Sequence, residues 1–243
     1  MFVWLLGNSI TLFTLLAVLF ATPAEVSAGG FTRNELITYY VLGITFQWLA
    51  HWYPFYSVEQ SIKDGSIVGK ALLKPISYFW SQFAEESGWH TISVFFGLTV
   101  SVLAAIMLRD HMVLTTSLVR IIPTAVSTGL AIMIVFTLSL CLGLLGFWLT
   151  YIRVFDSLFW VCRAFFGGAV IPLSFLPGPL LYLAKILPFR YLYSFPLEIY
   201  MGKVIGQELV IGIFVQLSWV FVLVLLYNLM WRRGLRFYTA FGN

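Results

Sequence analysis

The side chains able to do chemistry are few and far apart in this chain. His51, His90 and His111 are the natural proton carriers and metal ligands, yet no acidic cluster stands beside any of them. Asp110 adjoins His111, but that pair falls on the opposite side of the expected topology from His51 and His90. Cys141 and Cys162 lie inside apolar segments, which marks them as buried free thiols rather than a disulfide or a metal pair. No metal site is expected. The stretch Gly65-Ser-Ile-Val-Gly69-Lys70-Ala71 imitates a phosphate loop, but it is one residue short and puts Ala71 where magnesium needs a hydroxyl.

Two polar pairs inside apolar sequence say more. Gln47 and His51 are four residues apart, so on one helix they share a face and could line a polar path. The neighbouring aromatics Trp48, Trp52 and Tyr53 also read as an interfacial belt at the headgroup level, and His51 alone does not decide between the two. Arg163 follows Asp156 by seven residues, on the same helical face and about 10 Å deeper. An arginine there either snorkels or pairs locally near the cytosolic surface, or it is a cation lining a conduit.

These residues sit among long runs without Asp, Glu, Lys or Arg: Met1–Ala24, Leu36–Val58, Ser87–Leu108, Ile121–Ile152, Ala164–Ala184 and Leu209–Trp231. About 20 apolar residues cross a hydrocarbon core of about 30 Å. Spanning backbone must satisfy its own hydrogen bonds, and runs without period-2 polarity do so as helices. The chain is therefore expected to be an all-α integral membrane protein in one domain. Six transmembrane helices are expected, at about residues 1–22, 36–56, 90–108, 121–150, 156–174 and 209–231.

Composition agrees. Hydrophobic residues make up 60% of the chain and charged ones 10%, against roughly 45–50% and 25% in soluble domains. That leaves no room for a soluble catalytic domain. The net charge of +4 is carried by few, dispersed residues, which speaks to membrane orientation and against nucleic acid. Met1–Ala24 lacks a basic leader and its apolar run is too long for a signal peptide, so it reads as the first span.

With both termini cytosolic, Lys63, Lys70, Lys74, Arg153, Arg232, Arg233 and Arg236 lie inside, and Arg33, Arg109, Lys185, Arg190 and Lys203 outside. Arg120 and Arg163 fall at ambiguous depth. This is a mild positive-inside bias, anchored by the basic cluster that follows Trp231. Asn34 and Glu35 are placed to start the second helix, as cap and dipole partner. Residues 59–75 mix charges with Ile62, Ile67, Val68, Leu72 and Leu73, and Gly65 can end a short helix, which suits an amphipathic element lying under the membrane.

Between the last two spans, Pro172, Pro177, Pro179, Pro188 and Pro196 puncture apolar sequence. Proline removes a helical donor and biases its predecessor away from helix, so one straight span is excluded. Irregular backbone at membrane depth persists only when covered by protein or facing water. The expectation for residues 175–203 is a set of re-entrant helices dipping from the outer face.

In this order and spacing, the residues resemble the membrane subunits of type-2 ABC exporters, in the branch whose permease is separate from its ATPase. Four features carry the likeness. They are Ile62-Lys63-Asp64-Gly65 followed by Leu72-Leu73-Lys74-Pro75, and Leu142-Gly143-Leu-Leu-Gly146-Phe147-Trp148. Next comes the proline-punctuated stretch from Gly167-Gly168 through Pro172, Pro177, Pro188, Phe195 and Pro196 to Gly202, and last the ending Trp231-Arg232-Arg233-Gly234-Leu235. The family usually has an amphipathic cytosolic lead-in, and the sequence departs from that pattern at Met1, where the apolar run starts directly.

The resemblance implies a permease that dimerises with a second copy or a paralogue and sits on two copies of an ABC ATP-binding subunit. The expected setting is a bacterial inner membrane. ATP and magnesium would be held by that partner, with no cofactor and no catalysis in this chain. Glu59, Ile62, Lys63, Asp64, Gly65, Leu72, Leu73, Lys74 and Pro75 would then couple to the ATPase. Gln47, His51, Arg163 and Phe166 are the conduit candidates. Pro172, Pro177, Pro188, Phe195, Pro196 and Gly202 would form an outer gate. An ion-coupled secondary transporter would normally carry intramembrane acids or internal repeats, and an integral-membrane enzyme would gather its ligands at one face. Both alternatives are weaker on this sequence.

Overall fold

The computed structural model describes residues 16–17, 20–21, 29–49, 51–67, 69 and 76–237. Among them there is no β-sheet, and eight α-helices follow one another with short 3-10 turns between. They are α1 (Arg33–Leu49), α2 (Phe55–Lys63), α3 (Tyr78–Met107), α4 (Leu118–Leu144), α5 (Arg153–Phe166), α6 (Gly178–Ile186), α7 (Ser194–Tyr200) and α8 (Gly206–Phe237).

Local chemistry sets the helix ends. The Thr32 hydroxyl accepts from the Glu35 N–H at 3.3 Å, while the Glu35 carboxylate accepts from the Thr32 N–H at 2.8 Å. This reciprocal capping box starts α1 at Arg33, so Thr32 is the cap where Asn34 was expected. Helix α1 stops at Leu49, before Pro54, and the expected span to residue 56 is thereby split into α1 and α2. Helix α2 closes on Asp64, whose N–H bonds to the Gln60 carbonyl at 2.9 Å, and the chain then turns at Gly65 with φ of 78°.

The long helices depart from the charge-free runs in an instructive way. Helix α3 begins at Tyr78 and carries Glu85 and Glu86 in its first half, well before the expected 90–108. A helix needs no uncharged sequence where its end stands outside the hydrocarbon. Helix α5 ends at Phe166, short of residue 174, because Gly168 has φ of 80° and redirects the chain.

Three helices among the described residues are long and apolar enough to cross a membrane: Tyr78–Met107, Leu118–Phe147 with its 3-10 extension, and Gly206–Phe237. Helices α1 and α5, with 17 and 14 residues, are shorter. The first expected span lies almost wholly outside the described residues.

Helix α4 is the hub, packed against α8, α7 and α2. Its Ile134, Val135, Phe136, Leu140 and Leu144 are buried. Two glycines on α8 let neighbours approach closely: a Cβ on Gly212 would overlap the Phe195 ring, and one on Gly234 the Phe147 ring. By contrast α3 and α8 turn apolar faces outward, including Phe95, Leu103, Ile106, Phe214 and Phe221. Only lipid or another apolar surface suits such faces.

Candidate functional site

The amphipathic helix α2 turns Phe55, Val58 and Ile62 inward and leaves Tyr56, Gln60, Lys63 and Asp64 exposed. Its inner face presses on α4, where a Cβ on Gly143 would come within 2.7 Å of the Val58 Cβ, so glycine permits the close approach. Glu59 is only 4% exposed. It pairs with Lys63 at 2.6 Å and reaches Arg153 at the start of α5 at 4.0 Å.

A second tie is stronger. Asp156, in the first turn of α5, accepts the Tyr53 hydroxyl at 2.6 Å and the Tyr56 hydroxyl at 2.7 Å. The hydrogen bond to this carboxylate, with burial and its charge, pushes the Tyr56 phenol up to about 12. Ser57 donates to Gln82 of α3 at 3.1 Å. Helix α2 is thus held against three other helices. Of the expected coupling residues, Glu59, Ile62, Lys63, Asp64 and Gly65 gather here, and Leu72, Leu73, Lys74 and Pro75 lie outside the described residues.

The expected conduit residues are brought near one another only in part. Gln47 and His51 do not share a helical face, since α1 ends between them. The His51 ring lies 5.8 Å from Trp160 and 6.3 Å from Trp48, among aromatics. Arg163 sits over Trp160, its guanidinium carbon 5.0 Å from the ring centre, so His51 and Arg163 both lie beside one indole. Phe166 is half-buried, edge-on to Phe165.

Arg163 is 3% exposed, and neither of its terminal nitrogens has a hydrogen-bond partner among the described residues. It shares the buried face of α5 with Asp156 and Phe159, as its spacing required. It neither snorkels to a surface nor pairs with Asp156, whose oxygens the two tyrosines occupy.

The proline-rich segment after α5 folds back and is latched from both sides. Tyr39 donates to the Gly168 carbonyl at 2.7 Å and Tyr40 to the Val170 carbonyl at 3.1 Å. From α8, Gln216 donates to the carbonyls of Ser127 and Tyr191, both at 3.1 Å, and Trp219 donates to that of Ile186 at 3.1 Å. Pro172, Pro188, Phe195 and Pro196 are buried, Pro177 is exposed, and Gly202 takes a φ of 74° beside the Arg120 guanidinium.

Charges lock the far end. Arg190 pairs with Glu198 at 2.9 Å and Glu208 at 3.8 Å, and Lys203 with Glu35 at 2.7 Å. Burial raises the Glu35 carboxyl, but the Lys203 and Thr32 hydrogen bonds outweigh it and hold the group below its ordinary value.

Tyr39, Tyr40 and Gln216 were not singled out by sequence reasoning. A polar group inside an apolar run needs a partner, and that signal could have found them. Among the described residues no three His, Cys, Asp or Glu side chains are grouped to hold a metal ion. Cys141 is buried with its sulfur 3.9 Å from the Leu223 carbonyl.

Long apolar helices around a folded-back proline segment define a multi-pass membrane protein. A family model described as "ABC-2 family transporter protein" matches residues 6–242, and the chain belongs to that family, as a permease subunit of a type-2 ABC transporter. No curated protein and no solved structure matches the chain.

Proposed function

We propose that this permease works as one half of an ATP-driven exporter, with a second copy or a paralogue completing the conduit and two separate ATP-binding subunits beneath. The reading takes six spans, with both termini cytosolic in a bacterial inner membrane. Helix α2 is the coupling element. The observation that carries this is its arrangement: an exposed rim of Gln60, Lys63 and Asp64 on a helix that is bonded to α3 and α5 and packed on α4. A lever must be exposed on one side and fixed on the other.

In this reading, ATP-driven closure of the partner moves α2, the Asp156 and Arg153 ties carry the motion to α5, and Arg163 moves with that helix beside the conduit. The latched segment 167–204 is the outer gate, opened when α1 and α5 shift relative to it. ATP and magnesium stay on the partner, and this chain supplies no catalytic group.

The test is replacement of Asp64 and Gly65 by alanine and valine in the complex reconstituted with its ATP-binding subunit. Gly65 requires a positive φ that valine resists. Assembly should persist while substrate no longer stimulates ATP hydrolysis. Unchanged stimulation with intact assembly would overturn the assignment.

A further inference from the structure

We propose that the carboxyl-terminal end of α8 holds an acidic phospholipid, with its phosphate on Arg233 and Arg236 and an acyl chain along the helix. The two arginines are three apart and so share a face, directly after the apolar run that ends at Trp231. They line a cavity of about 650 Å³ together with Trp148, Leu226, Leu229, Met230 and Phe237. That volume falls within the range of small-ligand pockets, roughly 300–1,000 Å³.

The wall chemistry selects the occupant. No acidic residue lines the cavity, and neither arginine has an acidic partner among the described residues. Two cations without an acidic partner among the described residues attract an anion, and the apolar side chains beside them favour one that carries chains. Below the arginines, Leu229, Leu226 and Val222 are each between 41% and 48% exposed and follow at spacings of three and four. They form one apolar track leading from the charged end toward the bilayer interior, as an acyl chain requires. Trp148 at the mouth suits the headgroup level. On the same helix Gly234, lacking a side chain, lets Phe147 pack directly on α8.

The experiment does not depend on export or on an ATP-binding partner. The permease is reconstituted in nanodiscs of phosphatidylcholine containing a minor fraction of phosphatidylglycerol, released into mild detergent, and its retained lipids are identified by native mass spectrometry. Phosphatidylglycerol should be enriched roughly tenfold or more over its share, as two basic residues at a headgroup imply. The double change Arg233→Gln and Arg236→Gln should abolish the enrichment, and Arg232→Gln, outside the cavity, should keep it. Leu229→Trp, which fills the track and leaves both arginines, should also lose the lipid. Glycerol phosphate, which lacks chains, should fail to displace it.

Should the double variant not fold, separate wild-type samples with each lipid alone give the same comparison. No preference in the wild type, or equal enrichment in the double variant, would overturn the proposal. Displacement by glycerol phosphate would assign a free-phosphate site instead. Cross-linking of Arg236→Cys to a partner subunit, with no retained lipid, would make the cavity a protein contact.

Discussion

Removing the Tyr53 hydroxyl tests the tie between the segment leading into α2 and helix α5 most cleanly, because Tyr53→Phe deletes one donor and little else. Tyr53 is 8% exposed and its hydroxyl lies 2.6 Å from an Asp156 oxygen that is itself buried. Hydrogen bonds to charged groups contribute about 1.5–3 kcal/mol, so a loss of about 2 kcal/mol is expected. Tyr56 makes a bond of similar length but is 51% exposed, and water competes for it. Tyr56→Phe should therefore cost below about 1 kcal/mol. The coupling is specific to the pair. In an Asp156→Ala background Tyr53→Phe should cost close to nothing, a double-mutant coupling of about 2 kcal/mol. Unfolding measured by steric trapping in mixed micelles gives these values. A Tyr53→Phe cost below about 0.5 kcal/mol, or a cost unchanged by Asp156→Ala, would refute the reasoning.

Other consequences follow from the same contacts. Gly143→Val places a branched side chain against Val58; overpacking of this kind costs about 1–3 kcal/mol and should expose α2 to protease without preventing membrane insertion. Arg163→Met removes a buried cation whose terminal nitrogens have no hydrogen-bond partner among the described residues. It should leave thermal stability unchanged or raised while altering substrate-stimulated ATP hydrolysis, whereas a large stability loss would show a structural role. The Glu35 carboxyl is held below its ordinary value of 4.5, so its contribution is fully present above that pH and is lost as pH falls through the lower folded value. Glu35→Gln should flatten the acid limb of a melting-temperature profile, and an unchanged limb would count against the Lys203 latch.

The parts of this fold that were legible in the sequence are those set by one-dimensional properties. Helices α4 and α8 follow from uninterrupted apolar runs, and the proline-punctured segment from residues that cannot continue a helix. The capping box is written in the sequence as Thr32 and Glu35, three apart, but Asn34 is by residue type an equally able cap, and only the folded geometry separates the two. The start of α3 was missed because Glu85 and Glu86 interrupt an apolar run without interrupting a helix.

The site divides in the same way. Arg163 stood out because an isolated charge in apolar sequence has few destinations, and Trp160 three residues earlier was its natural neighbour. The bonds that latch the proline-rich segment were not legible. Tyr39 and Gly168 are 129 residues apart, and nothing local announces that a phenol will meet that carbonyl. Gln47 and His51 were joined on a helix that ends between them, since a helix boundary depends on tertiary packing as much as on local propensity.

The central claim, that this permease works with a separate ATP-binding partner, is tested most directly by purifying the tagged chain from its native membranes in mild detergent and measuring what accompanies it. Mass spectrometry should find an ABC ATP-binding subunit at one copy per permease chain, with either one permease species or two in equal amounts. Recovery of the chain alone, under conditions that keep other ABC complexes intact, would contradict the account.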